Sequence, residues 1–91
     1  MKFEWDSDKA LSNVKKHGIS FEEASTAFGD FLSIVIEDPL HSVHENRFIL
    51  IGRSIELNTL VVVHIEKSDV VRIISARKAT KNEQIMYEEQ K

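Results

Sequence analysis

Four runs rich in β-branched residues follow one another in the second part of this chain, and their close spacing limits the possible folds. The runs occupy residues 32–38, 47–53, 59–66 and 70–76. Such runs are typical of strands, and Pro39 after the first run cannot continue a strand ladder. Connections this short favour antiparallel neighbours, because a parallel crossover needs a dozen or more residues. The sequence therefore predicts an antiparallel meander.

A short strand and a helix begin the chain. Residues 3–5 (Phe-Glu-Trp) alternate apolar and polar side chains, which predicts an edge strand, and helix-capping residues follow. A helix is expected from about Asp8 to His17, with Gly18 as its C-terminal stop. The apolar positions at helical spacing in it are Ala10, Leu11 and Val14.

Two capping boxes mark the starts of the remaining helices. In residues 20–23 (Ser-Phe-Glu-Glu) the serine and the last glutamate satisfy each other's free backbone donors, and this helix ends near Gly29. Residues 80–83 (Thr-Lys-Asn-Glu) form the second box and open a C-terminal helix to about Gln90. The order β-α-α-β-β-β-β-α predicts one α+β domain over residues 1–91, with the helical pair on one face of a twisted antiparallel sheet.

The composition excludes several functional classes. The 91 residues include no cysteine, which excludes a disulfide scaffold, a cysteine nucleophile, a Cys-based zinc site and an iron–sulfur cluster. Acidic residues near the N-terminus replace the apolar segment of a signal peptide, and no apolar run approaches the roughly 20 residues that span a bilayer. We therefore expect a cytoplasmic protein without membrane contact.

The charge distribution is uneven. The net charge is −3, which does not suggest a generic nucleic-acid binder. Residues 67–81, which we call the basic stretch, nevertheless carry five cations against one acid, Asp69. Its cations are Lys67, Arg72, Arg77, Lys78 and Lys81.

Arg72 and Arg77 stand out because they lie within or at the end of an aliphatic strand. Strict alternation places them on opposite faces, unless a bulge near Ser75 re-aims the strand end. The planar fork of arginine suits a phosphate. The alternative is that they form a solvated rim or pair with carboxylates such as Glu66 and Glu45.

Two histidines are candidates for proton transfer. His17 ends the first helix, where a cation is favourable at the negative pole of the helix, but it also places a titratable imidazole near a sheet edge. His64 lies inside the third strand of the meander, on one face with Val62 and Glu66. It is either a half-exposed sheet histidine or a proton-transfer group on an open surface.

The remaining histidines give a weak metal signal. His41 and His44, beside Glu45, have a spacing that suits a metal on a helix, but their polar context predicts a loop, so we expect no metal site. No glycine-rich phosphate loop, nucleophile elbow or carboxylate metal cage occurs. This excludes nucleotide-triphosphate hydrolysis, serine hydrolysis and two-metal nuclease chemistry.

Motifs along nearly the whole chain resemble those of the BrnT toxin family. The more specific blocks are Lys16-His17-Gly18-Ile19-Ser20-Phe21-Glu22-Glu23-Ala24 and Arg72-Ile73-Ile74-Ser75-Ala76-Arg77-x-Ala79, with Phe3-Glu4-Trp5-Asp6, Asn13, Phe28-x-Asp30, Glu45-x-Arg47-Phe48 and Ile51-Gly52 in the same order. The resemblance implies a RelE-like fold. It also implies a ribonuclease toxin of a bacterial type II toxin–antitoxin module.

This resemblance supplies a substrate for the basic stretch. Metal-independent cleavage, without a cofactor, needs a base for the 2′-OH proton, cations at the crowded phosphorane and an acid for the departing 5′-oxygen. Lys67 stands where the family more often has arginine, and Ile65 where threonine is common. We assign Arg77 and Lys67 to phosphate stabilisation and His17 or His64 to proton transfer. The expected RNA-binding residues are Arg72, Lys78 and Lys16.

The resemblance also implies a partner, a BrnA-type antitoxin with a ribbon-helix-helix DNA-binding domain. We expect two toxins and two antitoxins per complex, contact with operator DNA only through the antitoxin, and an antitoxin that covers the basic stretch. An alternative is a weak or inactive toxin-like module that acts only as a co-repressor, with which the lysine at position 67 is compatible. A third hypothesis is a metal-dependent enzyme that uses His41, His44 and Glu45.

Overall fold

The computed structural model describes residues 1–39 and 46–89. A short 3-10 helix, Ala27–Gly29, extends the second helix. The other elements, in chain order, are β1 (Lys2–Glu4), α1 (Ser7–His17), α2 (Phe21–Thr26), β2 (Ile34–Glu37), β3 (Arg47–Arg53), β4 (Thr59–Lys67), β5 (Val70–Lys78) and α3 (Lys81–Glu88). This is the predicted order of an α+β fold.

The sheet has the order β1-β5-β4-β3-β2. Strands β2 to β5 form the predicted antiparallel meander. β1 instead pairs in parallel with β5, with Phe3 beside Val71, so the sheet is mixed and the expectation of a wholly antiparallel sheet is wrong for β1. The length of a connection predicts pairing only for strands that follow each other directly, and two helices and three strands separate β1 from β5.

The two faces of the sheet are covered differently. On the first, which we call the helix-pair face, a core cluster joins the sheet to α2 and to the residues around it, including Phe21, Leu60 and Ile73. On the opposite face, which we call the α3 face, Tyr87 of α3 and Ala79 form a smaller cluster at one end of the sheet. The residues of this smaller cluster are Ile51, Val61, Ala79 and Tyr87.

Helix α1 is rotated relative to its apolar pattern. Leu11 and Val14 are 64% and 46% exposed, whereas Asn13 is buried at 6%. The predicted apolar face is therefore wrong at two of its three positions, and Ala10 alone packs against the core. The reason is that the Asn13 side chain donates to and accepts from the backbone of Ala76, which fixes the docking angle of the helix.

The capping boxes determine where α2 and α3 begin. The Thr80–Glu83 box is complete, with each side chain accepting the other residue's backbone N–H. The Ser20–Glu23 box is only half formed, because Ser20 accepts the N–H of Glu23 but no reciprocal bond is made. The Glu23 carboxylate instead accepts from Ser54 (2.6 Å) and Asn58 (2.8 Å), which ties α2 to the β3–β4 turn.

Candidate nucleic-acid interface and active site

A β-bulge in β5 decides which way its arginines face. Val63 of β4 pairs with Ser75 and His64 pairs with Ile73, so one residue of β5 is left over between them. The bulge shifts the alternation by one position. As a result Arg72 and Arg77, which pair with Ile65 and Val61, both lie on the α3 face. Of the two arrangements left open by the sequence, the structure has the one with the bulge.

Arg77 is held by a carboxylate of α3. Its Nη1 and Nη2 atoms donate to the two oxygens of Glu83 at 2.8 and 2.9 Å, and Nη1 also donates to the Lys78 carbonyl oxygen. The hydrogen bonds from Arg77 lower the pKa of Glu83 to about 2, against burial. The same contact raises the pKa of Arg77. Both groups are therefore charged at neutral pH, in a pair that is partly exposed.

Arg72 is also paired within the chain. Its Nη1 donates to the Glu4 carboxylate at 2.9 Å, and both side chains are about one-third to two-fifths exposed, at 34% and 43%. The parallel pairing of β1 with β5 places Glu4 beside Arg72. The alternative of Arg–carboxylate pairs is thus found, with Glu4 and Glu83, whereas the expected Glu66 contacts His64. Glu45 lies outside the described residues.

Lys16 and His17 lie beside the C-terminal half of β5. Asn13 donates to the carbonyl oxygens of Ala76 (2.7 Å) and Ile19 (2.9 Å), and accepts the N–H of Ala76 at 3.1 Å. These bonds anchor α1 to β5, so the exposed Lys16 and His17, one helical turn further, stay close to it. They line a cavity of about 170 Å³ together with Lys9, Ser12, Asn13, Ile74 and Ser75.

Lys67 lies at the opposite end of the sheet from Arg77. Val61 is the partner of Arg77, and Lys67 follows it by six residues on the same strand. At about 3.3 Å per residue this separates their backbones by roughly 20 Å. The joint assignment of Lys67 and Arg77 to one scissile phosphate is therefore geometrically untenable. The exposed Lys78 adjoins Arg77 and remains at the same end.

His64 is a core residue. Its side chain is 0% exposed, and it lies on the helix-pair face between Phe28 and Phe48, with ring centroids at 4.8 and 6.0 Å. Its Nε2 is 3.0 Å from a Glu66 oxygen, and its Nδ1 is 3.3 Å from the Val62 carbonyl oxygen. Both interpretations made from the sequence, a half-exposed histidine and an RNA-facing proton-transfer group, are wrong. The alternation of side chains along a strand predicts the face on which His64 lies. It does not show that Phe28, from another element, covers that face.

A second charged cluster was not predicted. The Asp30 carboxylate accepts from the Tyr87 hydroxyl at 2.5 Å and from the backbone N–H groups of Arg53 and Leu32. Burial opposes ionisation of Asp30, but these hydrogen bonds lower its pKa. Burial and the contact with Asp30 raise the pKa of Tyr87. The Arg53 guanidinium lies 5.7 Å from the centroid of the Tyr87 ring.

The sequence also predicts that the chain has neither a metal site nor a membrane-spanning segment. Over residues 1–39 and 46–89, no group of three or more His, Asp or Glu side chains is placed to hold a metal ion. His41, His44 and Glu45 lie outside these ranges. In the same part of the chain no helix is long and apolar enough to cross a bilayer.

The fold and the basic end of β5 define a small α+β protein with cationic groups at a sheet edge. The family model for the ribonuclease toxin BrnT of type II toxin–antitoxin systems matches residues 5–83. The chain therefore belongs to the BrnT family, and membership implies an antitoxin partner. The predicted family and fold class are confirmed.

A solved structure supports the same assignment. The crystal structure of the Brucella abortus ribonuclease toxin BrnT is similar to this chain with a TM-score of 0.70 and 30% sequence identity. The match covers 89% of this chain and 99% of the Brucella chain. No curated protein has significant sequence similarity to this chain.

Proposed function

We propose that residues 1–91 form a cytoplasmic endoribonuclease toxin that cuts RNA across the free edge of β5 without a metal ion. β1 covers this edge only beside residues 70–72. Beyond that point, Asn13 occupies both backbone groups of Ala76, with Lys16 and His17 on the α1 side and Arg77 on the α3 face. This arrangement carries the proposal, because an RNA strand that crosses the edge meets cations on both sides.

Arg77 is the group proposed to stabilise the scissile phosphate. A guanidinium has five N–H donors. Glu83 and the Lys78 carbonyl accept from three of them, which leaves two without an acceptor among the described residues. Glu83 thus fixes the orientation of Arg77 while donors remain for a phosphate oxygen. Such preorganised donors stabilise charge that develops in the transition state.

His17 is proposed as the proton-transfer group, since His64 is buried. It accepts the 2′-OH proton or protonates the departing 5′-oxygen, and attack of the 2′-oxygen on phosphorus breaks the P–O5′ bond. Lys16 and Lys78 bind the flanking backbone, and Arg72 contacts a more distant phosphate on the α3 face. This division follows their places along β5 and α1.

The proposed partner is a BrnA-type antitoxin with a ribbon-helix-helix domain, in a complex of two toxins and two antitoxins that contacts operator DNA through the antitoxin.

One observation favours a second candidate function. Arg72 and Arg77 are both paired with carboxylates of the chain, as expected for a weak or inactive module that serves as a co-repressor. Cleavage of RNA by the isolated chain distinguishes the two candidate functions, because the ribonuclease toxin cuts RNA and the inactive co-repressor does not.

The test is cleavage of a labelled RNA by purified protein in the presence of a chelator. Arg77→Ala should lower the rate by about 10²–10³-fold, because one charge-assisted contact to the transition state is lost. Thermal melting checks that the variant folds. His41→Ala and His44→Ala serve as controls and should cut RNA like the wild type. A wild-type rate for Arg77→Ala, or cleavage that stops with the chelator, would refute the assignment.

A further inference from the structure

A larger cavity lies beside the last turn of α3, at Tyr87, one helical turn beyond Glu83. It has a volume of about 460 Å³ and lies between the end of α2, the β3–β4 turn and α3. Leu32 and Ile55 contribute apolar walls, Asp30 and Tyr87 contribute polar atoms, and Arg53 lies at the rim. The proposed cleavage mechanism uses none of these residues.

The polar atoms of this cavity are already engaged. Asp30 accepts three hydrogen bonds, one of them from Tyr87, and Ser54 donates to Glu23. Thr26 likewise donates to the Glu23 carbonyl oxygen and accepts from Ile55. The exposed Arg53 guanidinium is the cation available there to a ligand. The cavity therefore suits an apolar group with one anion beside it, and not a polar ligand that needs many hydrogen bonds.

Exposed apolar side chains occur at the cavity and at residues next to its lining in the chain. Phe31 is fully exposed, and Ile55 and Leu57 are 76% and 78% exposed. Leu57 also has a φ of 65°, a left-handed conformation that is uncommon for a residue other than glycine. The fold thus keeps the large apolar side chains of Ile55 and Leu57 exposed at the β3–β4 turn, and the backbone at Leu57 is strained. Concentrations of exposed apolar residues and local strain both mark binding surfaces.

We propose that this surface, formed by Phe31, Leu32, Arg53, Ile55 and Leu57, docks the antitoxin. An aliphatic or aromatic side chain of the antitoxin enters the cavity, and a carboxylate next to it pairs with Arg53. Interface centres are rich in such apolar anchors and in arginine. The proposal rests on the toxin assignment, which supplies a protein partner, and it places that partner beside α3 instead of over the basic stretch.

Charge argues against RNA as the occupant of this surface. Asp30 and Glu88 are close enough to Tyr87 to act on it electrostatically, and such carboxylates disfavour a phosphate backbone. A partner that brings an apolar side chain and one carboxylate beside Arg53 adds a single negative charge there, in place of the row of charges on an RNA backbone.

The experiment titrates the purified chain with the purified product of the antitoxin gene adjacent to its own. Ile55→Glu introduces a charge at an exposed side chain and should weaken binding by at least about 30-fold, as should Arg53→Glu. Leu11→Glu is the matched control, because Leu11 is 64% exposed on α1, and should change affinity less than about threefold. RNA cleavage by Ile55→Glu without the partner should equal that of the wild type.

Four other results would overturn the docking proposal, and a fifth would overturn only the proposed activity. Wild-type affinity for Ile55→Glu, or loss of binding in Leu11→Glu alone, would move the interface elsewhere. Sedimentation of the chain alone as a dimer that Ile55→Glu dissociates would identify a second copy as the occupant, and weaker RNA binding by Ile55→Glu would identify RNA. If the wild type cuts no RNA but Ile55→Glu still loses the partner, the proposed activity fails while the docking surface stands.

Discussion

His64 and Arg77 lie on neighbouring strands of one sheet, yet their surroundings differ. His64 faces the helix pair, is completely buried and contacts Phe28, Phe48 and Glu66. Arg77 faces the opposite side, is 41% exposed and pairs with Glu83. Each group has a carboxylate partner, but only Arg77 can also reach a molecule in solution.

The difference shows that a polar residue in a strand is structural or functional according to what covers it. A buried hydrogen-bonded group contributes to stability, and its loss leaves a cavity and unsatisfied atoms. A partly exposed ion pair contributes little to stability. The ion pair with Glu83 leaves Arg77 oriented, charged and accessible. We therefore expect substitutions at the two sites to separate stability from activity.

The largest effect on stability is expected for His64→Ala. Removing the buried ring leaves a cavity below Phe28 and an unpaired Val62 or Glu66 acceptor, which should lower the free energy of unfolding by about 2–4 kcal/mol. Denaturant unfolding measures the change. Cleavage per folded molecule should be unaffected at a temperature where the variant is still native.

The control is His17, which lies outside the core. His17→Ala removes an exposed side chain and should change stability by less than about 0.5 kcal/mol. It should instead lower RNA cleavage by about 10²-fold or more. The reverse outcome, a stable His64→Ala protein that no longer cuts RNA, would show that the core histidine takes part in catalysis.

An intermediate effect is expected from the pH dependence of the Arg77–Glu83 pair. The folded-state pKa of Glu83 is about 2, below the ordinary 4.5. The contribution of the ion pair to the stability of the fold is therefore fully present above about pH 4.5 and is lost as the pH falls toward 2. Solvent screens the partly exposed pair, so we expect about 1 kcal/mol. Unfolding measured from pH 6 to pH 2 tests this.

Two variants of α3 sharpen that measurement. Glu83→Gln should remove this part of the pH dependence, whereas Glu88→Gln, in the last turn of the same helix, should keep it. An unchanged pH profile in Glu83→Gln would mean that the ion pair does not contribute to stability in solution. Loss of the profile in Glu88→Gln would place the titrating group elsewhere on α3.

The smallest effect is expected for Lys67→Ala. Lys67 is exposed and about 20 Å along the sheet from Arg77. Its loss should change cleavage by less than about threefold and stability by less than about 0.5 kcal/mol. Parallel RNA cleavage assays compare it with Arg77→Ala. A loss as large as that of Arg77→Ala would put the scissile phosphate at the β4–β5 turn.

Much of the fold could be predicted because local signals mark it. The β-branched runs, the caps at Ser20 and Thr80 and the stop at Gly18 each depend on a few neighbouring residues, and the structure has strands and helix ends there. The parallel pairing of β1 and the docking angle of α1 depend on contacts between distant segments. No local pattern encodes these contacts.

The candidate site was less predictable for the same reason. A β-bulge adds one residue without a sequence signature, so the shared face of Arg72 and Arg77 remained one of two alternatives. The partner of Arg77 had a partial signal, since Glu83 was already identified in a capping box. The burial of His64 had none, because it depends on Phe28 from another element.

Asn13 has a consequence for association between molecules. Strand edges with free N–H and C=O groups are templates on which other chains add as strands. By donating to and accepting from Ala76, the Asn13 amide acts as a single substitute rung where β1 no longer pairs with β5. The side chain that positions the proposed active site thus also blocks the addition of another strand at this position of the edge.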